Sequence, residues 1–219
     1  MNKAIENKLI AILSIFETGN PNVAYDGVYV FNDGINKRPQ VTLSYGFTED
    51  GGNLIIVLQS YFLLKGKYSL RLRPYLTDVG KGVLWKNDKF KDLLREMASD
   101  PVFRRVQDLC FFALYITRGY NKAVEYGVKL PLSIAVIVDS VLHGSIDEVA
   151  MEFPELRPSK GGNEKVWVKA YLNARIKWLQ SKGKPLSNTT YRAESFLDAI
   201  QKDNWNLDKP FIANGTKIQ

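Results

Sequence analysis

The spacing of apolar residues along the chain predicts a fold dominated by amphipathic helices. Within residues 3–17, apolar side chains stand at positions 5, 9, 12, 13 and 16, which is the spacing of one helix face. Similar spacing predicts further helices over residues 53–64, 88–98, 101–118, 131–142, 163–180 and 189–201. Pro101 and Pro131 suit the first turn of a helix, where the amide hydrogen that proline lacks is not needed.

A change of period after the first helix predicts a β-hairpin. Gly19-Asn20-Pro21 ends the helix. Apolar residues then alternate with others at positions 28 and 30, and again at 41, 43 and 45, on either side of a polar loop. We therefore expect a mostly helical α+β fold in a single domain over residues 1–219. In it, a small β-hairpin lobe at about 22–50 is separated by a cleft from a helical body. Residues 203–219 are turn-rich.

Composition and charge exclude several classes of protein. The chain has 219 residues, of which 45% are hydrophobic and 24% charged, as in ordinary globular proteins. A net charge of +7 favours polyanionic partners, but the basic residues are spread along the chain, so we expect no specific nucleic-acid partner. No apolar run reaches the roughly 18 residues of a membrane span, and we expect no membrane insertion.

The N-terminus faintly resembles a signal peptide. Lys3 and Lys8 precede the apolar run 9–16, but no small-residue cleavage site follows. We interpret this segment as a helix of the mature protein. We therefore expect a protein that is made in the cytoplasm without a signal peptide and that acts on a cell wall after release or delivery. We also expect it to be a monomer.

The single cysteine and the single histidine do not indicate a metal or cofactor. Cys110 lies in an apolar run and has no second cysteine to pair with, so a buried structural thiol is expected. A catalytic pair of Cys110 with His143 remains open, although nothing around either residue supports it. Because no other potential ligands cluster near His143, we expect no metal and no cofactor.

Glu17 is the first candidate for catalysis. It stands at the end of the first helix, four residues after Leu13 and seven after Ile10, and so shares their apolar face. Apolar surroundings would favour the protonated carboxyl, as a general acid requires. The alternative is a solvated glutamate in the last turn of a helix.

The segment Val41–Phe47 is the second candidate. If it is a continuous strand, Thr42, Ser44 and Gly46 share one face, and the larger side chains face the core. A hydroxyl beside small residues would leave room for a ligand, although many half-buried strands have this pattern.

A family resemblance becomes visible at these residues. A helix ending in glutamate, a hairpin and a Thr-x-Ser-x-Gly segment together resemble lysozyme-like glycosidases. Several short motifs along the chain resemble the chitosanases of glycoside hydrolase family 46, in the order and nearly the spacing of that family. They are Phe16-Glu17-Thr18-Gly19, Tyr45-Gly46-Phe47-Thr48, Gly51-Gly52-Asn53-Leu54, Asp139-Ser140-Val141-Leu142-His143-Gly144, Tyr171-Leu172-Asn173-Ala174-Arg175, Thr190-Tyr191-Arg192 and Asn206-Leu207-Asp208.

The resemblance implies an inverting hydrolase with a lysozyme-like fold. Glu17 matches the acid of the family, and Thr42 matches the threonine that holds the attacking water. Counting back from Gly46-Phe47 places Asn36, which is not a carboxylate, at the position of the family's second carboxylate. Because the hairpin loop here differs in length from that of the family, we assign the base to Asp33, with Asp26 in reserve. Asp33-Gly34 also suits a plain hairpin turn. The substrate-binding residues that we expect are Ser44, Tyr45 and Asn53.

Three charged residues support this assignment on separate grounds. Asp139 lies in the nearly all-apolar segment Leu130–Leu142, and both Arg175 and Arg192 share helix faces with apolar residues. Buried charges need partners. The resemblance implies a supporting chain of contacts running Glu17–Arg192–Asp139–Arg175. A purely structural ion network is the alternative.

The polymer that is cleaved remains open between two aminosugar polysaccharides. Asn53 stands where the family's chitosan enzymes have an acidic residue, and a net charge of +7 opposes a cationic polymer. We therefore favour bacterial peptidoglycan and a bacteriolytic, endolysin-like role in cell-wall degradation, with chitosan as the alternative. An inactive glycan-binding or virion structural protein with the same fold, and a nucleic-acid binder, are further alternatives.

Overall fold

The computed structural model describes residues 3–219, which form ten α-helices and five short strands. The helices are α1 (Lys3–Thr18), α2 (Asn53–Leu63), α3 (Ser69–Leu72), α4 (Asp88–Met97), α5 (Pro101–Phe111), α6 (Thr117–Tyr126), α7 (Pro131–Leu142), α8 (Ile146–Val149), α9 (Glu164–Ser181) and α10 (Thr190–Gln201). The strands are β1 (Val28–Phe31), β2 (Gln40–Leu43), β3 (Phe47–Thr48), β4 (Phe211–Ala213) and β5 (Thr216–Ile218). The predicted mostly helical α+β class is confirmed.

The described chain divides into two compact units. The first unit contains the residues up to Asn22 together with Ala113–Gln219, and the second unit contains Val23–Phe112. The second unit therefore includes the hairpin sheet and also helices α2 to α5. None of the described helices is long and apolar enough to cross a bilayer.

Helix α7 is the centre of the first unit. Every residue from Leu132 to Ser140 is buried, as expected of a helix that is nearly all apolar. It contacts α1, α6, α9 and α10. Its one charged residue, Asp139, is consequently enclosed by helices on several sides and must find its partners among them.

The second unit is built around a three-stranded antiparallel sheet in the order β1-β2-β3. Tyr29 pairs with Thr42 and Phe31 with Gln40, so these four side chains share one face of the sheet. The loop between β1 and β2 is long and contains a short 3-10 turn at Ile35–Lys37. Asp33-Gly34 is therefore part of a longer loop and does not form a two-residue hairpin turn.

The expectation of one continuous strand over 41–47 is wrong. Strand β2 ends at Leu43, and residues 44–46 form a turn before β3 begins. Ser44 and Gly46 have positive φ values of 46° and 88°, which break the alternation of an extended chain. Ser44 and Gly46 therefore do not extend the face that presents Thr42.

Two further expectations differ from the structure. The predicted helix over 101–118 is interrupted by a π-helical segment at Phe112–Ile116. The turn-rich tail contains the hairpin of β4 and β5, joined at Asn214 and Gly215, which have φ values of 45° and 79°. Asn-Gly is the favoured pair for a two-residue hairpin, so this signal was present in the sequence.

Replacing Gly119 by alanine tests the close packing of α6 on α7. Alanine normally stabilises a helix over glycine by about 1 kcal/mol. Here an added Cβ would lie 2.7 Å from the Cα of Val138, which is backbone and cannot move aside. We expect Gly119→Ala to lower the free energy of unfolding by about 1–3 kcal/mol in urea denaturation. Asn121→Ala, at an exposed site on the same helix, is the control, and a stabilised Gly119→Ala protein would contradict the packing.

Candidate active site

Asp139 and Arg175 form the innermost ion pair of the first unit. Both side chains have no exposed surface, and Arg175 Nη1 donates to Asp139 Oδ2 at 2.6 Å. Burial alone would raise the pKa of Asp139. The charges of Arg192 and Arg175 outweigh that effect and lower the pKa to about 2. The carboxylate is therefore ionised at neutral pH.

Arg192 connects this pair to Glu17. Its Nε and Nη2 donate to Asp139 Oδ1 at 3.1 and 2.6 Å, and its Nη1 lies 2.7 Å from Glu17 Oε1. The guanidinium carbon stands 5.2 Å from the ring centre of Phe16, the residue before Glu17. With three nitrogens engaged and one face on an aromatic ring, the guanidinium has a fixed orientation. All three contacts in the expected series Glu17–Arg192–Asp139–Arg175 are therefore present.

The surroundings of Glu17 differ from those expected from helix periodicity. Leu13 is fully buried, but 24% of the Glu17 side chain is exposed and its partner is a guanidinium. The prediction of an apolar environment for the carboxylate is wrong, because Glu17 stands in the last turn of α1, where the helix surface opens to solvent. The position leaves one side of the carboxylate accessible to a substrate.

His143 caps α7 next to this ion chain. Burial of the imidazole is the largest cause that lowers its pKa, and the positive charges of Arg192 and Arg175 act in the same direction. Together they lower the pKa of His143 to about 4. Its Nδ1 is buried and has no hydrogen-bond partner among the described residues. His143 is therefore neutral at physiological pH. Cys110, its conceivable catalytic partner, is buried in the second unit and its pKa is raised by burial.

In the second unit, Asp33 and Thr42 lie on or beside the sheet. Asp33 is exposed in the loop after β1, and its Oδ1 accepts a hydrogen bond of 2.9 Å from Gln40 Nε2. Thr42 is 7% exposed, and its hydroxyl has no hydrogen-bond partner among residues 3–219. Asp26, the reserve candidate, is exposed in the turn before β1, and Asn36 is exposed in the loop with a φ of 56°.

The three residues expected to bind substrate take part in local structure. Ser44 is buried in the turn after β2. The Tyr45 ring stacks on Phe111 with ring centres 4.2 Å apart, and its hydroxyl donates to Asp108 Oδ1 at 2.7 Å. Asn53 begins α2, and its Oδ1 accepts from the Thr48 amide at 2.6 Å. Contact with a sugar remains a prediction for all three.

Two supporting residues were not found from the sequence. Gln40 bonds to the candidate base, and Asp50 anchors the loop on which that base stands through Arg38 and the Ile35 amide. Neither residue lies in a recognised motif. The loop itself was predicted, but its internal hydrogen bonds depend on how it folds back. No cluster of three or more His, Cys, Asp or Glu side chains that could hold a metal occurs in the described part of the chain.

The neutral His143 makes the stability of the protein depend on pH. Its pKa in the folded protein lies below the ordinary value of 6.5, so the unfolded chain binds the proton more readily. Stability from this group is complete above pH 6.5 and is lost as the pH falls towards 4. We expect a loss of about 2 kcal/mol in unfolding free energy between pH 7 and 5. Chemical denaturation of wild type and His143→Gln checks this. Because the chain has one histidine, an equal loss in the variant would contradict the assignment.

Comparisons with known proteins extend over nearly the whole chain. The model of glycosyl hydrolase family 46 matches residues 11–211. A chitosanase of Bacillus subtilis (strain 168) is 25% identical over 231 aligned residues, which cover 96% of this chain and 82% of that protein.

Solved structures agree on the fold. The native chitosanase of Bacillus subtilis MY002 superimposes with a TM-score of 0.81 at 23% identity, and all of both chains is covered. The family 46 chitosanase of Gynuella sunshinyii, solved in complex with chitotetraose, gives 0.82 at 22% identity, covering 100% of this chain and 98% of that one. The predicted lysozyme-like fold is confirmed. The chain belongs to glycosyl hydrolase family 46 and is a glycosidase that cleaves within its polymer substrate.

Proposed function

We propose that this protein hydrolyses the β-1,4 bonds of chitosan by an inverting mechanism with Glu17 as the general acid. The observation that carries the proposal is the contact of Glu17 with Arg192, which Asp139 and Arg175 hold in place. This arrangement occurs in a chain that is 25% identical to a chitosanase of Bacillus subtilis. The relatives support chitosan over peptidoglycan, and they do not support the endolysin interpretation.

The acid step needs a carboxyl that is accessible and held in one direction. Glu17 meets both conditions, because part of its side chain is exposed and one oxygen is bound to a fixed guanidinium. The ionised Asp139 partly neutralises the positive charge of Arg192, so the guanidinium acts on Glu17 with less than a full positive charge. We propose that Glu17 donates its proton to the glycosidic oxygen as the bond to the leaving sugar breaks.

The hydrolytic step needs a second carboxylate and a water on the opposite face of the sugar. We propose that Asp33 takes the proton of this water and that the Thr42 hydroxyl helps to orient it. The buried Thr42 hydroxyl, which has no partner among the described side chains, supports this role. Inverting enzymes add this water directly, without a covalent sugar–enzyme intermediate.

Peptidoglycan is a second candidate substrate, and one observation favours it. The chain carries a net charge of +7, which attracts an anionic polymer and opposes a cationic one. Local charge can outweigh net charge at the point of binding. The candidate carboxylates Glu17, Asp33 and Asp26 are all at least partly exposed, and they would attract the amines of glucosamine.

The two substrates are separated by incubating the protein with chitosan oligosaccharides and with purified murein. Mass spectrometry of the fragments and an assay of reducing ends should show cleavage of chitosan only.

In Glu17→Gln we expect kcat to fall about 100- to 10,000-fold, since the proton donor is lost while the amide oxygen still accepts from Arg192. Glu194→Gln, at an exposed site on α10, is the control. Cleavage of murein alone would reverse the substrate assignment, and glycan binding without cleavage would indicate an inactive relative.

Removing the base tests Asp33 against Asp26. We expect Asp33→Ala to lose at least about 100-fold in kcat. Azide, a small nucleophile that needs no base, should restore turnover and yield an α-glycosyl azide. Asp26→Ala should stay within about threefold of wild type, as expected for a residue outside the reaction. Rescue of Asp26→Ala by azide, with Asp33→Ala unaffected, would transfer the role to Asp26.

A further inference from the structure

Gln40 makes two hydrogen bonds that fix its amide in one orientation. It is the first residue of β2 and is only 4% exposed. Its Oε1 accepts from the Asp50 backbone amide at 2.9 Å, and its Nε2 donates to Asp33 Oδ1 at 2.9 Å. Because the backbone amide can only donate, the oxygen of Gln40 must face Asp50 and the nitrogen must face Asp33.

The residue that holds Gln40 is itself anchored. Asp50 accepts hydrogen bonds from the Ile35 amide at 2.6 Å and from Arg38 Nε at 3.1 Å, and it also pairs with Arg38 Nη2. Arg38 Nη2 donates in turn to the Gly80 carbonyl at 2.8 Å. The neighbouring Glu49 accepts from the Val41 amide at 2.8 Å and from the Gly80 amide at 3.3 Å. Gln40 therefore extends from a rigid frame of ion pairs and backbone hydrogen bonds.

Asp33, in contrast, is an exposed carboxylate on a loop. Its backbone lies outside any helix or strand, between bends at Asn32 and Gly34, so its side chain would sample several rotamers without a partner. The side chain that holds it, within the described residues, is Gln40. Gln40 also lies two residues before Thr42 on β2, and the two side chains point to the same face of the sheet.

We infer that Gln40 is a positioning residue, which holds the Asp33 carboxylate towards the side of the sheet where the Thr42 hydroxyl orients the attacking water. The inference rests on the proposed role of Asp33 as the base. Gln40 itself does not touch the reacting atoms. Its substitution should therefore change kcat and leave KM nearly unchanged.

Gln40→Glu changes the contact with Asp33 while keeping the rest of the frame. One carboxylate oxygen can still accept from the Asp50 amide, but the other replaces the amide donor and faces Asp33. The substitution leaves the charged side chains of the frame, Asp50, Arg38 and Glu49, unchanged. Two carboxylates in contact repel each other, which favours binding of a proton.

We expect two effects in Gln40→Glu. The first is a fall in kcat of about 10- to 100-fold, as for a misplaced catalytic group. The second is a shift of the acidic limb of the kcat/KM profile to higher pH, because the base must be ionised to act. Gln40→Leu removes the donor without adding charge and should lower kcat similarly with a smaller shift. Gln59→Glu and Gln59→Leu, at an exposed site on α2 of the same unit, are matched controls.

The alternative outcomes each overturn the inference. A fall in kcat of the same size at every pH, together with a lower melting temperature, would assign Gln40 a merely structural role. A wild-type kcat and pH profile in both Gln40 variants would remove any role. Asp33→Asn separates these failures from failure of the proposed function. If Asp33→Asn is inactive while the Gln40 variants are normal, only the positioning inference fails. If Asp33→Asn is active, both fail.

Discussion

The alternating charges Glu17–Arg192–Asp139–Arg175 are the constraint on which the first unit depends. Two guanidiniums and one carboxylate lie almost completely out of water. An isolated buried ion costs several kcal/mol in lost hydration, and breaking such a pair typically costs about 3–5 kcal/mol. The helices α1, α7, α9 and α10, which carry these four residues, must therefore meet in the one arrangement that pairs every charge.

This requirement links stability to catalysis. Arg192 reaches Glu17 with one nitrogen because its other donors are held by Asp139, and Asp139 is held on its second oxygen by Arg175. Buried ion networks contribute little net stability compared with apolar packing of equal volume. A protein that keeps one so close to an exposed carboxyl gains a defined direction for that carboxyl, which a general acid needs.

In the second unit the candidate base stands on a loop, so it must be held in place by other means than a buried chain of charges. Here the frame is built from the ion pair of Asp50 with Arg38 and from side chains that satisfy backbone groups of the loop. The loop is consequently ordered without regular secondary structure. The two halves of the proposed chemistry thus depend on different physics, a buried chain of charges for the acid and a hydrogen-bonded loop for the base.

The sequence by itself determined every described helix except α3, α6 and α8, together with the hairpin, the charged residues that had to be buried and the family motifs. These features follow from local periodicity and from the high cost of burying an unpaired charge, which left Asp139 and the two arginines few alternatives. Even the missed hairpin at Asn214-Gly215 carried a local signal.

Only the tertiary structure decided the surroundings of each side chain. The end of strand β2 at Leu43, the partial exposure of Glu17 and the two contacts of Gln40 all result from chain segments that are distant in sequence or from loop geometry. Periodicity reports which face of an element is apolar. It cannot report which groups fold back to meet that face, because those contacts exist only once the packing is complete.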